Sequence, residues 1–95
     1  MELWKHRREK NINIMASSTI PHIGQLIANE LCRQERSRAW LAKKINCERS
    51  NIYDIVKRES IDTQLLMKIS IALNHDFFKY YCNFLELALQ NEPQP

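Results

Sequence analysis

Residues 41–55 read LAKKINCERSNIYDI. Leu41, Ala42, Ile45, Cys47, Ile52 and Ile55 are apolar, and Lys43, Lys44, Arg49, Ser50, Asn51 and Tyr53 stand between them. At the helical period this apolar set falls on one face of two short helices, so the polar set stands outward. Ser37 is the N-cap expected for the first of the pair, which then runs to Ile45. Trp40 occupies the place where a capping-box Glu would help. Asn46 ends that helix, because Asn accepts the left-handed conformation almost as readily as Gly. The second of the pair runs from Arg49 to Lys57 or Arg58, with Ile52, Ile55 and Val56 inward and two cations at its C-terminal end. Helices joined by about three residues cross steeply, and small Ala42 permits their close approach.

The flanking sequence supplies three more helices. Ile23, Ile27 and Leu31, with Leu26 widening the stripe, predict one from Pro21 to Gln34. Asp62 caps "TQLLMKISIAL", where Ile61 is placed to staple onto Leu66 and the buried stripe is Leu65, Leu66, Ile69, Ala72 and Leu73. Asp76 caps "FFKYYCNFLELAL". Residues 1–18, with "KHRREK" and "ASST", read as a flexible basic tail, residues 91–95 as a disordered tail, and 19–90 as the domain. Met15 is a candidate alternative start, which would make residues 1–14 dispensable.

Composition agrees with this plan. Ninety-five residues make one small domain, and one Gly with three Pro is too few for a chain of many β-turns, so the fold class is all-α. The net charge of +3 is unevenly spread: Arg36–Arg58 holds seven Lys/Arg against two acids, whereas Glu59–Pro95 holds two Lys against five acids. That concentration favours a polyanionic partner for the quoted segment. Cys32, Cys47 and Cys82 suggest neither a disulfide framework nor a metal site, and each is read as a structural thiol in an apolar stripe or turn. A reducing, cytoplasmic location is expected. No apolar run approaches the length of a membrane span.

Enzymatic chemistry is not expected. His6, His22 and His75 lie far apart, Glu30 and Glu35 are surface-type positions, and Gly24 is the lone glycine, so no phosphate loop is present. No cofactor, metal or small-molecule substrate is called for.

"LAKKINCERSNIYDIVKR" resembles the helix-turn-helix of the phage lambda repressor and Cro family, also called XRE-type regulators. Ala42, Asn46, Cys47 and "RSNIYDI" match its pattern in order and spacing, and "DTQLLMKISIALNHDFF" is similar to its fourth helix and following loop. The resemblance spans about residues 23–84. Three positions depart from the pattern: Asn46 stands for the usual Gly, Glu48 for a Ser or Gly, and Asp54 adds a second acid to the reading helix. The resemblance implies a five-helix, lambda-repressor-like domain whose second and third helices form the motif. It also implies a bacterial, repressor-like transcription regulator that reads the major groove of double-stranded DNA with helix three. Arg38 would then contact backbone or a base edge, Arg49, Ser50 and Asn51 the groove floor, and Tyr53 a sugar, phosphate or thymine methyl. The chemistry of these side chains suits that use, since Arg pairs bidentately with guanine and Asn with adenine, while Ser50 can bind phosphate. Lys43, Lys44, Lys57 and Arg58 would add salt-sensitive, sequence-independent attraction.

Competing placements exist. Arg49 can pair with Glu48, Asn51 can bond its own helix start, Tyr53 can pack on the fourth helix, and Trp40 is expected against the first. The fifth helix is apolar on more than one side, so the alternative is a protein-interaction module or antitoxin-like regulator that binds a partner there. A homodimer through that helix would set two reading helices about 34–36 Å apart, one turn of B-DNA, and call for an inverted repeat.

Overall fold

The structure, a computed structural model, describes residues 20–90, and all regular structure within them is helical. The five helices are α1 (Ile23–Arg33), α2 (Arg38–Lys44), α3 (Arg49–Ile55), α4 (Thr63–Leu73) and α5 (Phe78–Gln90). The tails expected at 1–18 and 91–95, and Met15, lie outside the described residues.

Side chains start most of these helices. His22 Nδ1 accepts from the Gln25 amide at 3.1 Å, so α1 begins at Ile23, two residues after the expected Pro21. Ser37 accepts from Trp40 N–H at 3.0 Å, and Asp62 from Leu65 N–H at 2.7 Å. Asp76 accepts from Phe78 and Lys79 amides at 3.0 and 3.2 Å. Phe77 therefore precedes α5 instead of opening it.

Three helices end in a left-handed turn, and none of the three uses glycine. Glu35, Asn46 and Asn74 have φ of 57°, 58° and 53°. In each turn the next amide reaches back to an orphan carbonyl: Arg36 to Leu31 at 2.8 Å, Cys47 to Ala42 at 2.9 Å, His75 to Ser70 at 3.0 Å. Asn46 was expected from its chemistry. Glu35, a residue with a real left-handed penalty, was not.

The core takes Ile23, Ile27 and Leu31 from α1, Leu41 and Ala42 from α2, Ile52 and Ile55 from α3, and Leu66, Ile69 and Leu73 from α4, with Phe77 closing it. Leu65 and Ala72 of the expected stripe are only partly buried, as are Ile45 and Cys47. Packing of α2 against both α3 and α4 ties the motif segment to this core.

Gly24 decides how α1 meets α3. A Cβ there would lie 2.5 Å from the Val56 carbonyl oxygen and 2.6 Å from those of Ile55 and Arg58. Without one, the Ile23 and Gly24 amides reach the Glu59 and Arg58 carbonyls at 3.1 and 3.0 Å. Two unsatisfied donors of α1 are met by carbonyls just past α3, a pairing of opposite helix-dipole ends.

Two expectations are corrected. Glu30 is not a surface position: it is 5% exposed, accepting from Arg33 Nε at 3.0 Å and Gln34 Nε2 at 2.7 Å. Gln34 also donates to the Leu73 carbonyl at 2.8 Å. His75 Nδ1 stands 3.6 Å from the Glu30 carboxylate, and its Nε2 is 2.8 Å from the Tyr80 hydroxyl. The hydrogen-bonding Arg33 guanidinium outweighs burial and holds the Glu30 pKa near 2. Nor are all the thiols buried. Cys32 and Cys82 are exposed, because each falls on the solvent side of its helix, and only Cys47 is partly covered. Burial pushes the Cys47 thiol pKa up.

Gly24→Ala should cost about 2–3 kcal/mol in chemical denaturation, the overpacking penalty with no room to relax. A neutral outcome would mean that α1 does not seat on α3 in this way. Because Glu30 is more acidic folded than unfolded, its interactions contribute fully above about pH 4.5 and are lost as the pH falls toward 2. Glu30→Gln should lower stability at pH 7 by about 1–2 kcal/mol and flatten the acid decline across that window.

Candidate nucleic-acid interface

The candidate interface is built on α3, and its direction is set by what α3 buries. Ile52 is 0% and Ile55 5% exposed. On a 3.6-residue period the opposite direction is Ser50, with Tyr53 and Asp54 on either side and Arg49 and Asn51 on the flanks. All five are exposed. α3 ends at Ile55 with Val56 as C-cap, earlier than expected. Lys57 and Arg58 therefore follow the helix instead of occupying its last turn, where their amides still bond the Asp54 and Ile55 carbonyls. The shortening has a cause in the fold, since α1 docks on the carbonyls from Ile55 to Glu59 and the chain turns there to receive it. Glu48 precedes α3 in extended conformation and provides no side-chain cap.

Arg38, the first residue of α2, lies beside α3. Its guanidinium carbon is 5.4 Å from the centroid of the Tyr53 ring, a cation–π contact that bridges the two helices. Tyr53 is thereby held to α2, not packed on α4, and remains 49% exposed. The Arg38 Nε is buried and has no hydrogen-bond partner among the described residues. Arg49 forms no ion pair with Glu48 or any other acid among the described residues. The Asn51 side chain makes no hydrogen bond to its own helix start. It lines a recess of about 270 Å³ with Cys47, Asp54, Ile55, Arg58 and Leu65, on the flank toward α4. Asp54 sits 3.1 Å from Arg58 Nη2, so its negative charge is locally matched.

Lys44 stands apart from this group. It lies at the far end of α2 from Arg38, about 9 Å along the axis. Its ammonium is 5.7 Å from the Trp40 ring, which Arg36 covers at 4.3 Å. Trp40 itself leans on the core. The structure thus brings together Arg38, Arg49, Ser50 and Tyr53, puts Asn51 at one edge and Lys57 just beyond α3, and leaves Lys44 on a different side of α2. The Arg38–Tyr53 contact was not visible in the sequence, since fifteen positions separate the two and neither belongs to the apolar pattern.

This surface offers guanidinium, hydroxyl, amide and phenol groups with few internal partners, beside one matched carboxylate. Such groups bind anionic and hydrogen-bonding surfaces; they form no nucleophile–base pair. Among the described residues no cluster of three metal-ligating side chains occurs, and no helix is long and apolar enough to cross a membrane. Comparison with protein-family models, curated proteins and solved structures returned no match.

Proposed function

We propose that this chain binds double-stranded DNA sequence-specifically as a lambda-repressor-like transcriptional regulator, with α2 and α3 as its helix-turn-helix. In this reading α3 enters the major groove. One observation carries it: Ser50 and Tyr53 project from the face of α3 opposite Ile52 and Ile55, with Arg49 exposed on the adjoining flank and unpaired among the described residues, and with the Arg38 guanidinium over the Tyr53 ring. An α-helix about 10–12 Å wide fits a major groove of about 12 Å.

Roles follow from position. Ser50, at the centre of the outward face, approaches the groove floor with Arg49, whose fork suits guanine O6 and N7. Asn51 reads an adenine at the edge nearest α4. Arg38 and Tyr53 act as one unit, with the ring fixing a guanidinium that contacts phosphate or a base edge. Lys57 and Arg58 meet the backbone as the chain leaves α3. Lys44, beside Trp40, contributes a more distant, purely electrostatic pull. The +5 charge of Arg36–Arg58 favours the encounter. No catalysis or cofactor is involved, and the regulator acts where its DNA is, in the cytoplasm of a bacterial cell.

A second reading is a partner-binding, antitoxin-like module using α5. It is favoured by the exposure of Leu85 and Leu89, at 56% and 60%.

Selection from a random duplex pool, followed by titration of the selected site, tests the first reading. Affinity should fall steeply with salt. Arg49→Ala should cost about 1–3 kcal/mol at one base pair and relax specificity there, whereas Lys57→Ala should weaken all sequences alike and reduce the salt slope by about one. Asp54→Asn should tighten binding to every sequence by a few-fold, since it removes a carboxylate beside phosphates at little cost to an exposed ion pair. Absence of binding to any duplex at low salt would end this reading in favour of the second.

A further inference from the structure

We propose that α4 of one copy packs antiparallel against α5 of a second copy, so that the chain self-associates head to tail. The large apolar side chains exposed among the described residues include two pairs at one-turn spacing. Met67 and Ile71 on α4 are 51% and 72% exposed, and Leu85 and Leu89 on α5 are 56% and 60% exposed. Residues four apart on a helix form one stripe, so each pair is a short apolar ridge.

Charge selects which ridges meet. Lys68 follows Met67 and Glu86 follows Leu85, so the two charges sit at the same angular offset from their ridges. When two right-handed helices pack antiparallel, side chains at equal offsets fall on the same side of the seam. Lys68 of one copy then faces Glu86 of the other. Neither forms an ion pair among the described residues. The self-complementary arrangements lack this match: antiparallel α5 on α5 sets Glu86 against Glu86, and α4 on α4 sets Lys68 against Lys68.

Shape supports the same pairing. Beside Ile71 lies an open groove of about 430 Å³, with Ile45 and Ala72 in it and Lys44 and Lys68 at its edges, and among the described residues no carboxylate lines it. An aliphatic ridge with an adjacent acid fits that groove. The segments of this chain outside the described residues fit less well. Residues 1–19 carry four Lys/Arg against two acids, and residues 91–95, NEPQP, contain no large apolar side chain.

A contact between different patches leaves one patch free on each end of the pair, so assembly continues unless the rotation closes a ring. Combined with the DNA-binding reading, on which the association itself does not depend, this favours direct repeats over the inverted repeat that a closed α5 dimer requires.

Sedimentation of the full chain without DNA, from about 10 µM to about 1 mM, tests the association separately from DNA binding. The weight-average mass should rise past that of a dimer. Lys68→Glu and Glu86→Lys should each weaken association about fivefold, and the double variant should recover to within about twofold of the parent. Ile71→Ser and Leu89→Ser should each be monomeric, while their equimolar mixture should form a dimer and stop there. Circular dichroism checks the fold of each variant, and Ile71→Gln with Leu89→Gln replaces the serine pair if helix is lost. A monomer throughout the range, including one whose groove is covered by residues 1–19, overturns the proposal. So does a closed dimer that ignores Lys68→Glu, or a mixture of the two serine variants that stays monomeric.

Discussion

At the junction of α1 and α3, two amides and four carbonyls meet with no side chain between them. The Ile23 and Gly24 N–H groups fill the carbonyls of Glu59 and Arg58, and the missing Cβ of Gly24 leaves room for those of Val56, Ile55 and Arg58. A helix end buried without partners would be costly, and here α1's donors and the acceptors that follow α3 satisfy each other. The contact also fixes where α3 stops, and hence where Lys57 and Arg58 leave it. With Ile52 and Ile55 sunk into the core, α3 has no freedom to roll, so the direction of Ser50 and Tyr53 is decided from behind.

The other side of α3 is set by α2 and the turn between them. Asn46 takes the left-handed conformation that lets Cys47 close back on Ala42, which holds the two helices at a short, defined corner. Arg38 then lies over Tyr53 at the outer edge. Stacking of a guanidinium on an exposed ring contributes modestly, about 0.5–1 kcal/mol, yet it limits the rotamers of two long side chains before any ligand arrives. A surface that loses less freedom on binding binds more tightly for the same contacts.

α5 is held differently. Its anchor is Phe77, which lies ahead of the helix, and no residue within α5 is fully buried. Polar links make up part of the difference, for His75 lies between the Glu30 carboxylate and the Tyr80 hydroxyl while its ring meets Phe77 edge-on at 4.7 Å. The network joins α1, the α4–α5 connection and the first turns of α5. Among the described residues Tyr81 is the last of α5 to pack against the core cluster, while Phe84, Leu87 and Ala88 farther along the helix are half-buried.

Local patterns were enough to find the five helices. Ile23, Ile27 and Leu31 mark a helical face at any placement in space, and Ser37, Asn46, Asp62 and Asp76 act on amides within a few residues of themselves. The outward exposure of Arg49, Ser50 and Tyr53 also followed from the period, once Ile52 and Ile55 were read as core. What the sequence could not supply depended on contacts between distant segments. Glu30 looked like a surface acid because its partner His75 and the Leu73 carbonyl that orients Gln34 lie some forty residues away. Gly24 looked unremarkable within a helix, since the three carbonyls that require it belong to the end of α3. The pairing of Arg38 with Tyr53 and the displacement of Lys44 to another side of α2 likewise arose only when two helices crossed. Short-range rules govern dihedrals and hydrogen bonds along the chain, whereas burial and electrostatic partnership are properties of the assembled volume.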